Sequence, residues 1–236
     1  MTSRFSGSLQ SVESESIPGG NLQLMGAQNE QGRYPWPLSE DAIRLAATIK
    51  ASCAEANQII LFTGVAAREG VSTVAAQVAL ALAQMDQGPV LLLDANLRTP
   101  SGHATFQVQQ VPGLSELIEQ KTTLHEAIHP LQHSALSVLS SGSADGDALA
   151  LFPTPGCSAL MQTLHKEFHF VIVDSSPLLQ FADTTLLVPY ADGVVVTVAA
   201  GMHRRSEILE VKRLLDSLKA NVIGVVLYDK TEHLSR

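Results

Sequence analysis

The sequence predicts an α/β fold: a doubly wound, mainly parallel sheet with helices on both faces. Three observations carry that expectation. Short runs such as VLLLD (residues 90–94), FVIVD (170–174) and GVVVTVA (193–199) are apolar without alternation, so neither face of those strands meets water. Helical segments separate such runs from residue 38 to residue 228, the order that joins parallel strands by crossovers. Residues 58–76, QIILFTGVAAREGVSTVAA, read as a strand, a glycine-bounded loop and a helix in that order.

Taken in order, residues 1–37 form a tail rich in Ser, Gly, Gln, Asn and Glu that ends in YPWP. So few apolar residues cannot offset the entropy of ordering, and a disordered or extended arm is expected, with Trp36 anchoring the start of the fold. A single domain over residues 38–236 follows. Residues 37–56 have helical periodicity, with Ser39 as N-cap, Glu40 and Asp41 in the first turn, and Ala42, Leu45, Ala46, Ile49 and Cys53 on one face. Residues 71–84 form a helix apolar nearly all round, hence buried against the sheet. Gly88 and Pro89 turn the chain into the strand ending at Asp94. Residues 112–120 and 124–130 read as short helices, 135–143 as a strand with its exit, and 142–157 as a loop with room for a helical turn. Residues 158–168 form a helix, 170–174 a strand ending at Asp174, and 182–191 a short helix. After the strand at 193–199 comes an amphipathic helix at 206–219, with Ile208, Val211, Leu214, Leu215 and Leu218 toward the core. Residues 221–228, NVIGVVLY, close the sheet.

Composition excludes several classes. With 236 residues, 45% of them hydrophobic and 16% charged, the chain has enough apolar mass for one large core. A net charge of −8 argues against a nucleic-acid partner and offers no polybasic membrane anchor. Cys53 and Cys157 have neither metal-ligand spacing nor a disulfide framework, as in a reducing compartment. No run approaches the ~20 apolar residues that span a bilayer, and MTSRFSGSLQ lacks a signal peptide's apolar core, so a cytoplasmic location is expected. His125 and His129 are four apart, as on one helix, without an acid or cysteine at ligand spacing, and read as surface histidines. His203, Arg204 and Arg205 read as the exposed start of a helix.

In an open α/β sheet the ligand sits at the carboxyl ends of the strands. Here those ends carry the loop from Gly64 to Gly70, then Asp94, then Asp174. The loop has the form of a P-loop, whose amides and following helix N-terminus face a phosphate, with Ser72 and Thr73 opening the helix. One position departs. A lysine should precede Ser72, and Val71 stands there.

Residues 63–77 (TGVAAREGVSTVAAQ), 90–98 (VLLLDANLR) and 170–177 (FVIVDSSP) resemble the bacterial tyrosine kinases of capsule and exopolysaccharide assembly, within the septum-site and partition class of P-loop ATPases. The motifs there run roughly TSxxPGEGKSTxxxN, VLLIDxDxR and LVIIDTPP, and segments 183–187, 191–208 and 221–227 continue the likeness. The resemblance implies ATP or ADP with Mg²⁺, nucleotide held by Gly64, Arg68, Glu69, Gly70, Val71, Ser72 and Thr73, and metal held by Ser72, Asp94 and Asp174. It also implies Asp94 and Asp174 as the catalytic acids, a membrane chain-length, co-polymerase or export protein as partner, recruitment to the inner membrane by that partner, and self-association. Arg98 matches the arginine closing the second motif and Asp183 the acid after the third.

The departures fall on chemistry. Val71 replaces the loop lysine, Ala67 a proline, Arg68 a small residue, and Asn96 the second acid of the DxD pair. Tyr228 stands where an asparagine contacts adenine, Ala47 where the helix motif for ring assembly has its second arginine, and the chain ends DKTEHLSR without a tyrosine cluster. The expected function is therefore a degenerate, kinase-like regulatory subunit of polysaccharide polymerisation or export. The alternative is an active tyrosine autokinase or ATPase with an unorthodox loop, in which Arg68 supplies a substitute charge. A partition-type ATPase acting on DNA or membranes fits poorly with the acidic charge.

Overall fold

The computed structural model describes residues 38–52, 57–85, 88–132, 134–143 and 148–228. The expectations for the tail at 1–37, for Cys53 and for residues 229–236 lie outside them.

Continuous apolar runs with no polar face can only be satisfied between two helical layers, and that is where they lie. Seven strands form one sheet in the order β3-β4-β2-β5-β1-β6-β7. They are β1 (Gln58–Gly64), β2 (Val90–Asp94), β3 (Ile128–Pro130), β4 (Leu136–Leu139), β5 (Phe170–Asp174), β6 (Gly193–Ala199) and β7 (Val222–Tyr228). Every pair is parallel except β3 with β4. The pleat sends Ile60, Phe62, Leu92 and Ile172 to one face, under α1 (Glu40–Ser52) and α2 (Val71–Met85). Ile59, Leu61, Leu91, Leu93, Val171 and Val173 go to the other, under α4 (Leu114–Ile118), α7 (Pro155–Glu167), α8 (Asp183–Leu187) and α9 (Arg205–Ser217). Full burial of each such side chain contributes about 1.5–3 kcal/mol, which makes the three central strands a rigid platform.

Four short elements complete the described chain: α3 (Gly102–Phe106), α5 (Leu124–Ala127), α6 (Ala148–Leu151) and a 3₁₀ turn at Val188–Tyr190. Two expectations need correction. The segment 124–130 is not one helix: it stops at Ala127, and Ile128–Pro130 pairs antiparallel with β4. His125 and His129 consequently lie on different elements and share no helical face. The proline at the end of β3 is tolerated because β3 is an edge strand. The other edge, β7, stays partly open, with Val222, Val225 and Leu227 exposed.

The order β2-β5-β1 sets the site. Asp94 and Asp174 pair in register as the last residues of their strands, beside the loop that leaves β1.

Candidate phosphate and metal site

The β1–α2 loop is fastened from three sides. From β5's exit, the Leu178 amide donates to the Gly64 carbonyl at 2.9 Å, and Thr63 Oγ1 donates to the Ser176 carbonyl at 2.9 Å. From β7, the Tyr228 ring lies against Gly70. A Cβ at that glycine would stand 2.8 Å from the ring, and its φ of +74° disfavours any side chain. From β6 comes His203, whose Nε2 bonds Glu69.

Among the expected nucleotide-binding residues, Glu69 turns its side chain inward. Its carboxylate accepts the Val65 amide at 2.7 Å and meets His203, and the residue is 2% exposed. The side chain thus braces the loop internally, and the part of Glu69 that could face a phosphate is its backbone amide. His203 needs correction: its side chain is 9% exposed, not an open helix start. Nothing in the sequence flags this pair, because 134 residues separate the partners.

Val71 opens α2 with its side chain inside the α1/α2 core, 9% exposed. Where a P-loop puts a cation, this chain puts packing. Ser72 and Thr73 follow in the first turn of α2, placed as expected. Arg68 is exposed and holds φ +66°, a conformation that costs a non-glycine residue about 1–2 kcal/mol. Arg68→Gly should therefore stabilise the protein by about 1 kcal/mol in urea melts, the relieved strain being partly offset by glycine's larger unfolded-state entropy.

The two strand-end acids are brought together, and they differ. Asp94 accepts amides from Ser101 at 2.9 Å, Gly102 at 2.7 Å and Asn96 at 3.2 Å. Burial raises its carboxyl above the usual carboxylate range, opposed by those three donors. Asp174 receives only the Ser72 hydroxyl, and its Oδ1 is buried without a partner. Burial first, and the Asp94 charge second, push Asp174 well above the usual range.

A cavity of about 10 Å³ borders both acids, with Ser72, Asp94, Ser101, Gly102, Thr105 and Asp174 on its polar side and Ala76, Leu92 and Phe106 closing the other. That is room for about one water-sized sphere. All-oxygen donors, an orphaned carboxylate oxygen and a one-atom space fit a hard divalent cation. Ser72, Asp94 and Asp174 would hold Mg²⁺, which when bound neutralises charge on a phosphate. The chain's own contribution is to hold these oxygens dry and in register.

Asn96, in place of a second acid, is turn structure. Its Oδ1 accepts the Thr99 amide at 3.2 Å and the Ser176 hydroxyl at 3.1 Å, stitching the β2 and β5 exits together. Arg98 and Asp183 make a second stitch, a two-pronged ion pair at 2.7 and 3.0 Å, with Asp183 2% exposed and the guanidinium over Phe181.

No protein-family model matches the chain. Over 171 residues, 72% of each chain, it is 29% identical to the tyrosine-protein kinase YwqD of Bacillus subtilis (strain 168). The crystal structure of the chimerical protein CapA2B2 superposes with a TM-score of 0.77 and 28% identity, covering 88% of this chain and 93% of that one. A plasmid partition protein of Borrelia burgdorferi, 16% identical with a TM-score of 0.60 over 76% of this chain and 82% of its own, shares the fold alone. The chain's homologues are thus bacterial tyrosine-protein kinases, and its fold is that of the P-loop ATPases.

Proposed function

We propose that the chain is a kinase-like regulatory subunit of capsule or exopolysaccharide assembly, cytoplasmic and recruited by a membrane chain-length or export protein. In this reading nucleotide turnover is lost. One observation carries it: the side chain at the lysine position is a valine packed in the core, 9% exposed. Phosphoryl transfer depends almost wholly on positioned charge, so a loop without its lysine loses the main contact to the transferred group.

The rival reading, a working autokinase or ATPase, is favoured by the retained oxygen set of Ser72, Asp94 and Asp174. Calorimetry with Mg²⁺·ATP and Mg²⁺·ADP, followed by a turnover assay, separates the two. The regulatory reading expects dissociation constants of roughly 1 mM or weaker, near −4 kcal/mol, and no phosphate release or autophosphorylation. Tight binding with hydrolysis that disappears in Asp94→Ala would sink it.

A further inference from the structure

Ser101 stands at the N-cap of α3 and does not cap it. A serine there ordinarily accepts one of the first free amides of the helix, yet its side chain forms no such bond. The hydroxyl oxygen is buried and has no other hydrogen-bond partner. Asp174 Oδ1 is in the same condition, on a residue 4% exposed. Both residues line the cavity of about 10 Å³ that borders the acid pair. Buried polar atoms are almost always satisfied, so two orphaned oxygens at one void mark a missing partner.

The neighbouring donors are already committed. The Ser101 and Gly102 amides donate to Asp94 Oδ2 at 2.9 and 2.7 Å, and the Asn96 amide donates to Oδ1 at 3.2 Å. The Ser72 hydroxyl donates to Asp174. These bonds fix Ser72, Asp94, Ser101 and Asp174 around the void, and the strand register holds the two acids side by side. A water would satisfy the orphans and leave two adjacent buried carboxylates unneutralised; a divalent cation does both. His103 carries charge toward Asp94 but does not line the cavity. Room for about one water-sized sphere takes an ion without a phosphate oxygen beside it.

The geometry points to Ser101 as a fourth oxygen donor, with Ser72, Asp94 and Asp174, to a divalent cation that this chain binds without a nucleotide. It rests on the reading of the acid pair as a cation site and adds to it a donor from outside the three motifs. The small void suits Mg²⁺, with metal–oxygen distances of about 2.0–2.1 Å, better than Ca²⁺ at about 2.3–2.6 Å with more oxygens. Bound there, the cation joins the exit of β2 to β5 and to the first turn of α2. The site then serves as a brace of the fold, independent of phosphoryl transfer.

The test is calorimetry and thermal melts of the full chain with MgCl₂ or CaCl₂, each with and without ADP. Without ADP, Mg²⁺ should bind and raise the melting temperature, and Ca²⁺ should do so less. Ser101→Ala should weaken Mg²⁺ binding by about tenfold or more, at least the loss that follows when a partner beyond the ligands is removed. Its ion-free melting temperature should equal or exceed that of wild type, because the hydroxyl removed is orphaned; a capping serine would lose stability. Thr197→Val removes another buried, unpartnered hydroxyl that does not line the cavity, and should leave the Mg²⁺ response as in wild type. Ser101→Ala that binds Mg²⁺ like wild type overturns the role of Ser101. Mg²⁺ binding that appears only with ADP overturns the nucleotide-free site and leaves the cation reading of the acid pair intact. No Mg²⁺ response in either condition overturns both. Asp94-dependent turnover would overturn the regulatory reading and leave the Ser101 result standing.

Discussion

Asparagine in place of Asp174 should raise the melting temperature at neutral pH by about 4–8 °C. Asp174 and Asp94 are adjacent, buried and raised above the ordinary carboxyl value of 3.8, and Asp174 Oδ1 has no partner. Removing one uncompensated charge from such a site is worth about 2 kcal/mol, and each kcal/mol moves the transition of a domain this size by about 2–4 °C. The amide keeps an oxygen for the Ser72 hydroxyl and adds an N–H that can donate across the pair.

The pH dependence has a definite sign. A carboxyl raised on folding holds its proton longer in the native state, so its contribution to stability is greatest below 3.8 and falls as pH rises through the folded value. Glu116 behaves oppositely. Burial raises it, but donors from Ser143 and Gly113 more than offset that and bring it to about 2, so its stabilisation is present above its ordinary 4.5 and is lost as pH falls toward 2. Urea melts from mildly acid to neutral pH should show wild type losing stability relative to Asp174→Asn as pH rises. Mg²⁺ should recover stability in wild type and much less in the variant. A variant that melts lower than wild type, with no difference in Mg²⁺ response, would remove the acid pair from the argument.

Much of this was legible in the chain and some was not, for physical reasons. Strands whose two faces are both buried announce themselves as unbroken apolar runs, so β2, β5 and β6 and the acids that end two of them could be placed from the sequence alone. The edge strand β3 could not, because three residues ending in proline have no period to read. The loop was legible as backbone: glycines, Ser72 and the helix that follows depend on neighbours in sequence. Its bracing was not. The sequence does not show that the turn after β6 brings His203 to the Glu69 side chain, or that β7 lays the Tyr228 ring on Gly70. Asn96 stands where a second acid is expected; its Oδ1 ties the β2 and β5 exits by accepting the Thr99 amide and the Ser176 hydroxyl, and only its N–H bond to Thr99 Oγ1 is one a carboxylate could not make.

Restoring the lysine should change ligand binding most. Val71→Lys places an ammonium at the first residue of α2, the position from which a P-loop lysine reaches a phosphate. A charge-assisted hydrogen bond of about 1.5–3 kcal/mol predicts Mg²⁺·ATP binding tighter by about 10- to 100-fold. Losing the valine from the core should cost about 1–2 kcal/mol and lower the ligand-free melting temperature by several degrees. Val71→Met, which keeps apolar packing without charge, separates the two: calorimetry should show no gain for methionine. An ammonium that reaches the Asp94–Asp174 pair would add to the His103 charge beside Asp94 and supply Asp174 with a countercharge, and this links the two predictions. In the Val71→Lys background, Asp174→Asn should no longer raise the melting temperature, because the charge it removes is then compensated. If lysine leaves affinity unchanged in a folded protein, or if the asparagine still stabilises it, then the valine is not what separates this site from a working one.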